Sequence, residues 1–234
     1  MKEKILFGAI TLLAGSLLAA DSNPQDAITG AAAGLGTKDN YSWKTTIDLG
    51  SGAMVGTIDG KTEKGGATFL ALAGGDQSMD AVLKGGKGVL KLDEGWKLIS
   101  AVATNSDEGQ APRIIARILQ GLRMPAVEAA ELAAKAKDLK STNGVYSGDL
   151  TLAAIKELMR FGKQSGGDSL EVKDAKGSVK FWLKDGSLSK YEYTVEGSVT
   201  INGDEQEGTL KNTVEIKDVG TTKVTVPEEA AKKL

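Results

Sequence analysis

The side chains available for chemistry in this chain are carboxylates, lysines, tyrosines and hydroxyls, because it contains no cysteine and no histidine. These two absences exclude disulfides, thiolate ligands, cysteine nucleophiles and every mechanism that uses histidine as a base or metal ligand. They also exclude a lipid-modified cysteine. The sequence therefore predicts no metal site and no cofactor.

Two short motifs have spacings known from enzymes but lack the surrounding pattern. Residues 187–190, SLSK, match the Ser-x-x-Lys spacing of penicillin-interacting enzymes, yet they begin an alternating segment and no Lys-Thr-Gly occurs. Residues 60–62, GKT, end like a phosphate loop, but Val55 occupies the position of its first glycine. A hairpin turn at Asp59-Gly60 is the structure we expect there.

Two carboxylate pairs, Asp93/Glu94 and Glu128/Glu131, could support glycoside hydrolysis without histidine. The first pair lies in a predicted turn and the second on a predicted helix with basic residues downstream. Both patterns are typical of solvated surface charges. Three Trp and four Tyr are also few for a sugar-binding cleft. The sequence thus favours a non-catalytic protein, with a carboxylate hydrolase as an alternative.

The first twenty residues have the pattern of a secretory signal peptide. Lys2 and Lys4 precede an apolar run, and small residues lead to a predicted cleavage site after Ala20. The run is shorter than the ~20 residues of a membrane-spanning helix, and no later segment approaches that length. We expect an exported, soluble periplasmic protein of the bacterial cell envelope, monomeric and not lipid-anchored.

The charge balance argues against nucleic acid as a partner. The formal charge is −2, and removal of Lys2, Glu3 and Lys4 with the signal peptide makes it about −3. The chain has no basic tract, whereas binding to a phosphate backbone requires clustered Lys and Arg.

The roughly 214 residues after the predicted signal peptide could form one large β domain or two small ones, and we expect residues 21–234 to form a single domain. Period-two alternation appears near both ends, as in Tyr41–Leu49 and in Lys190–Glu196, and it predicts strands with one buried face. Glycine-containing turns separate the strands, which favours antiparallel meanders. The predicted segments are a helix 25–35, a first strand meander 40–100, a helical insert 110–162, a second strand meander 178–226 and a tail 227–234.

The helical insert has a 3.6-residue period. Its first helix carries an apolar stripe from Ala111 to Leu122 that omits Ala116. Two further helices are predicted at Ala126–Leu139 and Thr151–Phe161. Because one-faced strands need a cover on only one side, the insert can cover the sheet, and the fold class is α+β.

The tail is predicted to close a sheet edge. Val224 and Val226 alternate with polar residues in a short last strand, and Pro227 cannot donate to a ladder. The acidic-to-basic order of residues 228–233 then suits a terminal helix.

Two C-terminal stretches resemble a known group of proteins. Residues 184–199, KDGSLSKYEYTVEGSV, and 213–234, TVEIKDVGTTKVTVPEEAAKKL, look like the final strands of the LolA and LppX/LprG-like superfamily of envelope carriers. The resemblance in sequence covers the last quarter of the chain. The rest of the chain resembles this superfamily only in the order of its predicted strands and helices. The resemblance implies a strongly curved antiparallel sheet, a half-barrel, covered by the helices inserted in mid-chain.

The resemblance also implies a lipophilic ligand, either a lipid, an acyl chain or a lipidated polypeptide, held between sheet and helices. The aliphatic stripe would form one wall of its pocket and aromatic side chains the other. The implied lining residues are Trp43, Phe69, Trp96, Ile114, Ile115, Ile118, Leu119, Leu122, Phe181 and Tyr193. The alternative is an envelope interaction or sensor module with a filled core, which has the same binary pattern.

Overall fold

The computed structural model describes residues 23–50, 56–75, 77–159, 171–201 and 204–234. The predicted signal peptide 1–20 lies outside these ranges, and so does Asn202-Gly203, where the sequence predicts a hairpin turn. The described chain forms one open antiparallel sheet of eleven strands together with helices, so the predicted α+β half-barrel is confirmed as the fold class.

The secondary structure follows the predicted order of strands, helices and strands. The strands are β1 (Asn40–Asp48), β2 (Gly56–Glu63), β3 (Thr68–Gly74), β4 (Gln77–Lys84), β5 (Lys87–Leu92), β6 (Gly95–Leu98), β7 (Ala136–Thr142), β8 (Val145–Leu150), β9 (Glu171–Lys184), β10 (Ser187–Ile201) and β11 (Asp204–Lys217). The helices are α1 (Pro24–Gly36), α2 (Ile99–Thr104), α3 (Gln110–Gln120), α4 (Pro125–Ala134), α5 (Leu152–Met159) and α6 (Glu228–Ala231).

Two meanders meet in the middle of the sheet. The strand order is β6-β5-β4-β3-β2-β1-β11-β10-β9-β8-β7, so nearly all neighbours are consecutive in sequence. The exception is the pairing of β1 with β11, which joins the first and last strands of the chain. Antiparallel pairing of strands that follow one another in sequence therefore builds each half, and one long-range pairing joins the halves.

Helices α1 to α5 cover one face of this sheet, which we call the inner face. Helix α1 begins at an Asn23 cap, whose Oδ1 accepts from the Gln25 backbone N–H at 3.1 Å, with Pro24 in the first turn. It packs against α4, β10 and β9, and α5 packs against β9 and β10. The inner face and the helices share one large apolar cluster, which is the main core of the domain.

A hairpin interrupts the predicted helical insert 110–162. The sequence predicts helix through Leu139, but α4 ends at Ala134 and β7 and β8 follow. Asn143 and Gly144 have φ of 52° and 76°, the left-handed pair that a two-residue hairpin turn requires. Strand β8 then pairs with β9, so hairpin formation extends the sheet and outweighs the helix propensity of the Ala- and Lys-rich segment.

The predicted turn at Asp59-Gly60 is wrong. Gly60 lies inside β2, opposite Trp43 of β1 and Leu70 of β3. A Cβ at Gly60 would lie 2.2 Å from two atoms of the Trp43 indole. Glycine is needed here for the close approach of a neighbouring side chain, and not for a turn.

The tail lies on the opposite, outer face of the sheet and does not close an edge. Residues 218–227 form no strand, so the predicted second meander ends at Lys217 and not at residue 226. Both sides of β1 are already paired, with β2 and β11, which leaves no ladder there for the tail to join. Instead, the Val224 N–H donates to Glu63 Oε1 at 2.9 Å, and the tail covers a second apolar cluster.

That outer-face cluster gives the tail a testable role in stability. Ala230 is fully buried among Val82, Val89 and Trp96, whereas its neighbour Ala231 is exposed. We expect Ala230→Asp to lower the free energy of unfolding by about 2 kcal/mol, because a buried unpaired charge detaches the tail. Urea unfolding followed by the red shift of tryptophan fluorescence measures this. Ala231→Asp is the matched control, and equal stability of the two variants would contradict the docking of the tail.

Candidate functional site

An apolar cavity of about 500 Å³ lies between α3, α5 and the inner face. Helix α3 packs chiefly on α2. Its aliphatic side chains face strands β1–β4 and β11 across the cavity. The lining is predominantly aliphatic and includes Ile47, Ile58, Leu72, Met79, Ile114, Ile115, Ile118, Leu158, Met159 and Leu210. Its polar side chains are Thr57, Gln77 and Thr209. An apolar space of this size is typical of a small-molecule binding site.

A second cavity of about 200 Å³ adjoins the first under α4. Ile47, Ile58, Leu158 and Leu210 line both cavities, so the two are neighbours in the interior. The smaller cavity differs in being partly polar. Its polar lining comes from Thr45, Arg123, Glu128, Glu131, Lys135, Glu157, Tyr191, Tyr193 and Asn212.

The structure divides the ten predicted lining residues among four environments. Ile114, Ile115 and Ile118 line the larger cavity, and Trp43, Leu122 and Tyr193 line the smaller one. Leu119 and Phe181 are buried in the main core and line neither cavity. Phe69 and Trp96 belong to the outer-face cluster beneath the tail.

Phe69 and Trp96 are on the wrong face for the predicted pocket because successive side chains of a strand point to opposite faces. Phe69 pairs with Val82, while the next pair, Leu70 with Ala81, belongs to the main core. Alternation within one strand shows that it has two faces, but the choice of face depends on neighbouring strands. The predicted pocket contained five aromatic residues from both faces of the sheet, so two of them were assigned to the wrong face.

Glu128 is the principal functional candidate that sequence reasoning missed. The sequence predicts a solvated surface charge, but the half-buried Glu128 lines the smaller cavity and accepts a hydrogen bond from Tyr191 Oη at 2.5 Å. Its position was detectable, because Pro125, Glu128, Ala129 and Leu132 follow a helical i, i+3, i+4, i+7 stripe. Three members of that stripe are buried, so the fourth also faces inward.

Tyr191, Tyr193 and Asn212 form the rest of a polar cluster around Glu128. Tyr191 and Tyr193 lie on one face of β10, and Asn212 is the directly paired neighbour of Tyr193 on β11. All three side chains are buried. The Tyr193 hydroxyl interacts with both Glu128 and the Asn212 side chain.

Burial dominates the ionisation of this cluster. Desolvation raises the pKa of Glu128, and the charge of Glu131 adds to this effect. Hydrogen bonds from Tyr191 and Tyr193 and the Arg123 guanidinium oppose the rise without cancelling it. Desolvation, with the nearby Glu128 charge, also raises the pKa of Tyr191 and of Tyr193, so both phenols keep their protons and remain donors.

The raised pKa of Glu128 predicts a pH-dependent stability. The native state holds a proton on Glu128 at pH values where the unfolded chain has released it. Stability is therefore lost as pH rises from the ordinary Glu value of about 4.3 through the higher native value. Gln imitates the protonated acid, so we expect Glu128→Gln to gain stability over the wild type progressively across this window.

Urea unfolding of both proteins at a series of pH values measures the difference. Glu229→Gln, at an exposed position in α6, serves as the control and should stay within about 0.5 kcal/mol of the wild type. A pH-independent difference for Glu128→Gln would contradict the burial of this carboxylate.

The other charged side chains that line the smaller cavity form ion pairs with one another. Arg123 Nη1 lies 2.9 Å from Glu131 Oε1, and Lys135 Nζ lies 2.5 Å from Glu157 Oε2. All four side chains are partly solvent-exposed, and such pairs are worth little in stability. They balance each other in charge, which leaves the Glu128 cluster as the distinctive polar feature of the interior.

The other motifs considered for catalysis lie outside the cavities. Residues 187–190 begin β10, where Ser189 Oγ donates to the Trp182 carbonyl at 2.9 Å and Lys190 Nζ lies 4.6 Å from the Trp182 ring centroid. Asp93 and Glu94 are exposed between β5 and β6, and Glu94 pairs with Lys97 at 2.8 Å.

None of the described helices is long and apolar enough to cross a membrane.

No family model and no curated protein sequence matches this chain. Solved structures do resemble it. LprF from Mycobacterium bovis aligns over 88% of this chain and 97% of its own, with 12% identity and a TM-score of 0.48. A DUF1329 family protein from Desulfovibrio piger aligns over 88% and 96%, with 9% identity and a TM-score of 0.34.

A LolA superfamily protein from Nitrosomonas europaea aligns over 88% of this chain and 96% of its own, with 8% identity and a TM-score of 0.34. At such low identities and TM-scores these alignments carry no conclusion about function, which depends on the cavities themselves.

Proposed function

We propose that this protein binds a lipophilic ligand, a lipid or another molecule with a long aliphatic chain, between its sheet and its helices, without covalent chemistry. The single observation that carries the proposal is the 500 Å³ cavity with its predominantly aliphatic lining. The cavity is partly open to solvent, and Leu49 and Ile114 in its lining are 44% and 40% exposed. A concave apolar surface that faces water in this way is typical of a ligand-binding site.

The driving force is burial of apolar surface on both sides. Each square ångström of apolar surface removed from water contributes roughly 25 cal/mol, so a chain lying against this lining gains affinity without any specific polar contact. The filled-core alternative is not favoured, because the interior contains two adjoining cavities. The carboxylate hydrolase is not favoured either, because Glu131 and Glu157 form ion pairs and Glu128 accepts a hydrogen bond from Tyr191.

The same proposal includes the cellular location. We propose that the protein works in the bacterial envelope as an exported, soluble carrier or binding protein. The support is the signal-peptide pattern of residues 1–20 together with the lack of cysteine for lipid attachment. A lipidated polypeptide is a ligand of the same chemistry, because its acyl chains would enter the same space.

The test combines identification of a natural ligand with a variant that fills the cavity. Native mass spectrometry of protein purified from its own envelope fraction, followed by organic extraction, should reveal a stoichiometric lipid. The delipidated protein should then bind a pyrene-labelled long-chain alcohol. Gly208 lines the larger cavity, and the nearest atom to an added Cβ is 4.0 Å away. Gly208→Leu should therefore fold and bind the probe at least about tenfold more weakly.

Gly30→Leu is the matched control for this substitution. Gly30 is exposed on α1, and an added Cβ there meets nothing within 4 Å. Its probe affinity should equal that of the wild type. Purification without lipid, combined with failure of the probe to bind, would refute the proposed function.

A further inference from the structure

The larger cavity is a slot that crosses the strands of the sheet. Its floor comes from five neighbouring strands, β11, β1, β2, β3 and β4, and at each of them the lining residues fall within a stretch of only three positions. Neighbouring strands lie about 4.8 Å apart and residues rise about 3.3 Å along a strand, so the slot is about 19 Å long across the strands and about 7 Å wide along them.

These dimensions give room for one extended aliphatic chain. The volume of about 500 Å³, spread over this length, corresponds to a mean cross-section of roughly 26 Å². Carbon atoms of neighbouring chains approach to about 4–4.5 Å, so one chain needs about 20 Å² and two chains side by side need about 40 Å². An extended chain advances about 1.25 Å per carbon, so about fifteen carbons match the length of the slot.

Glycines form part of the floor of the slot. Gly56 on β2 pairs directly with Gly74 on β3, and both line the slot, as does Gly208 on β11. Neither Gly56 nor Gly208 has a left-handed φ, and the atoms nearest to an added Cβ are 3.7 Å and 4.0 Å away. Backbone conformation and neighbouring side chains therefore do not require glycine at these two positions. Glycine weakens a strand, and it often marks a place where a ligand closely approaches the backbone.

From this geometry we infer that the slot takes a single-chain lipid, whose one aliphatic chain crosses β2 and β3 over the Gly56–Gly74 pair. This inference rests on the proposed function and specifies the number of chains in the ligand. The head of the lipid stays at the solvent-exposed rim, where Leu49 and Ile114 lie. The second chain of a two-chain lipid would remain outside the slot, and each methylene left in water weakens binding about fourfold.

The test offers the wild-type protein a one-chain and a two-chain lipid with the same head. Delipidated protein is incubated to a constant lipid ratio with vesicles of dioleoylphosphatidylcholine that contain about one tenth 1-oleoyl-lysophosphatidylcholine, and it is then reisolated and extracted. Both lipids leave the same bilayer, so a site for two chains would take them in the proportion of the vesicles. We expect one lysolipid per protein, with a ratio of lysolipid to diacyl lipid at least about tenfold above that of the vesicles.

Gly56→Val supplies the second measurement, because it raises the floor beneath the chain. It should weaken lysolipid binding at least about tenfold, whereas Gly30→Leu, exposed on α1, should leave it unchanged. A wild-type lipid ratio equal to that of the vesicles, or two lysolipids per protein, would overturn the single chain. Unchanged lysolipid binding in Gly56→Val would overturn the path of the chain. Absence of both lipids from the wild-type protein would instead refute the proposed function itself.

Discussion

Replacing Ile118 by aspartate is expected to weaken binding of the pyrene-labelled alcohol by at least about tenfold, and the protein should still fold. Ile118 lies on α3, half-buried, with its side chain in the lining of the larger cavity. A bound chain would press an aliphatic surface against the new carboxylate and remove its water, at a cost of several kcal/mol for a charge left unpaired. A loss of only 1.4 kcal/mol already gives the tenfold change.

The effect of this substitution on stability should be smaller. Helix α3 packs chiefly on α2, and in the absence of ligand the carboxylate faces an unfilled cavity. We expect the free energy of unfolding to fall by about 1–2 kcal/mol, the part of the isoleucine burial that is lost. Gln120→Asp places the same charge at an exposed position of the same helix and should change neither quantity much. Unchanged probe affinity in Ile118→Asp would mean that α3 does not contact the ligand.

Replacing Gly60 by valine is expected to destabilise the protein by about 3–5 kcal/mol. An added Cβ would lie 2.2 Å from Trp43 Cε2 and Cζ2 and 2.6 Å from Cη2, distances that no real Cβ contact reaches. The indole, now 3% exposed and 5.7 Å from the Tyr41 ring, must leave its site. The loss then resembles truncation of a buried tryptophan, which accounts for the magnitude.

Gly56→Val is the matched control for Gly60→Val. Gly56 lies on the same strand and the same face, and the nearest atom to an added Cβ is the Ala73 carbonyl oxygen at 3.7 Å, an ordinary contact. Its stability should stay within about 1 kcal/mol of the wild type. Urea unfolding of both variants gives the comparison, and equal midpoints would contradict the packing of Trp43 over β2.

A double variant separates this clash from other effects of valine. In Trp43→Ala the indole is absent, so adding Gly60→Val should cost much less than it does in the wild type. The two changes would then be strongly non-additive, as expected for groups that compete for one site. Additive losses would indicate that Gly60 is required for a backbone reason unrelated to Trp43.

The sequence by itself determined the local and one-dimensional features of this protein. Alternation in Tyr41–Leu49 and in Lys190–Glu196 predicted strands, and the apolar stripe of Ala111–Leu122 predicted α3, because periods of two and 3.6 follow from backbone geometry alone. The lack of cysteine and histidine limited the possible chemistry. The order of strands, helices and strands was enough to predict the α+β class.

Tertiary structure decided everything that depends on contacts between distant segments. Which face of β3 and β6 is inner cannot be read from either strand, so Phe69 and Trp96 were assigned to the pocket although they lie beneath the tail. The sequence predicts Gly60 in a turn, but in the structure it lies within β2, and the indole of Trp43 on the neighbouring strand packs over it. Ala136–Thr142 has helix propensity, and only pairing with β8 makes it a strand.

The polar cluster shows the same division most clearly. Glu128 is on an apolar stripe of α4, yet its partner Tyr191 is 63 residues away, and Asn212 comes from a third element. Burial and the direction of the pKa shift both arise when these elements meet. A sequence pattern records which side chains face inward, whereas the volume left between them depends on how closely helices and sheet approach.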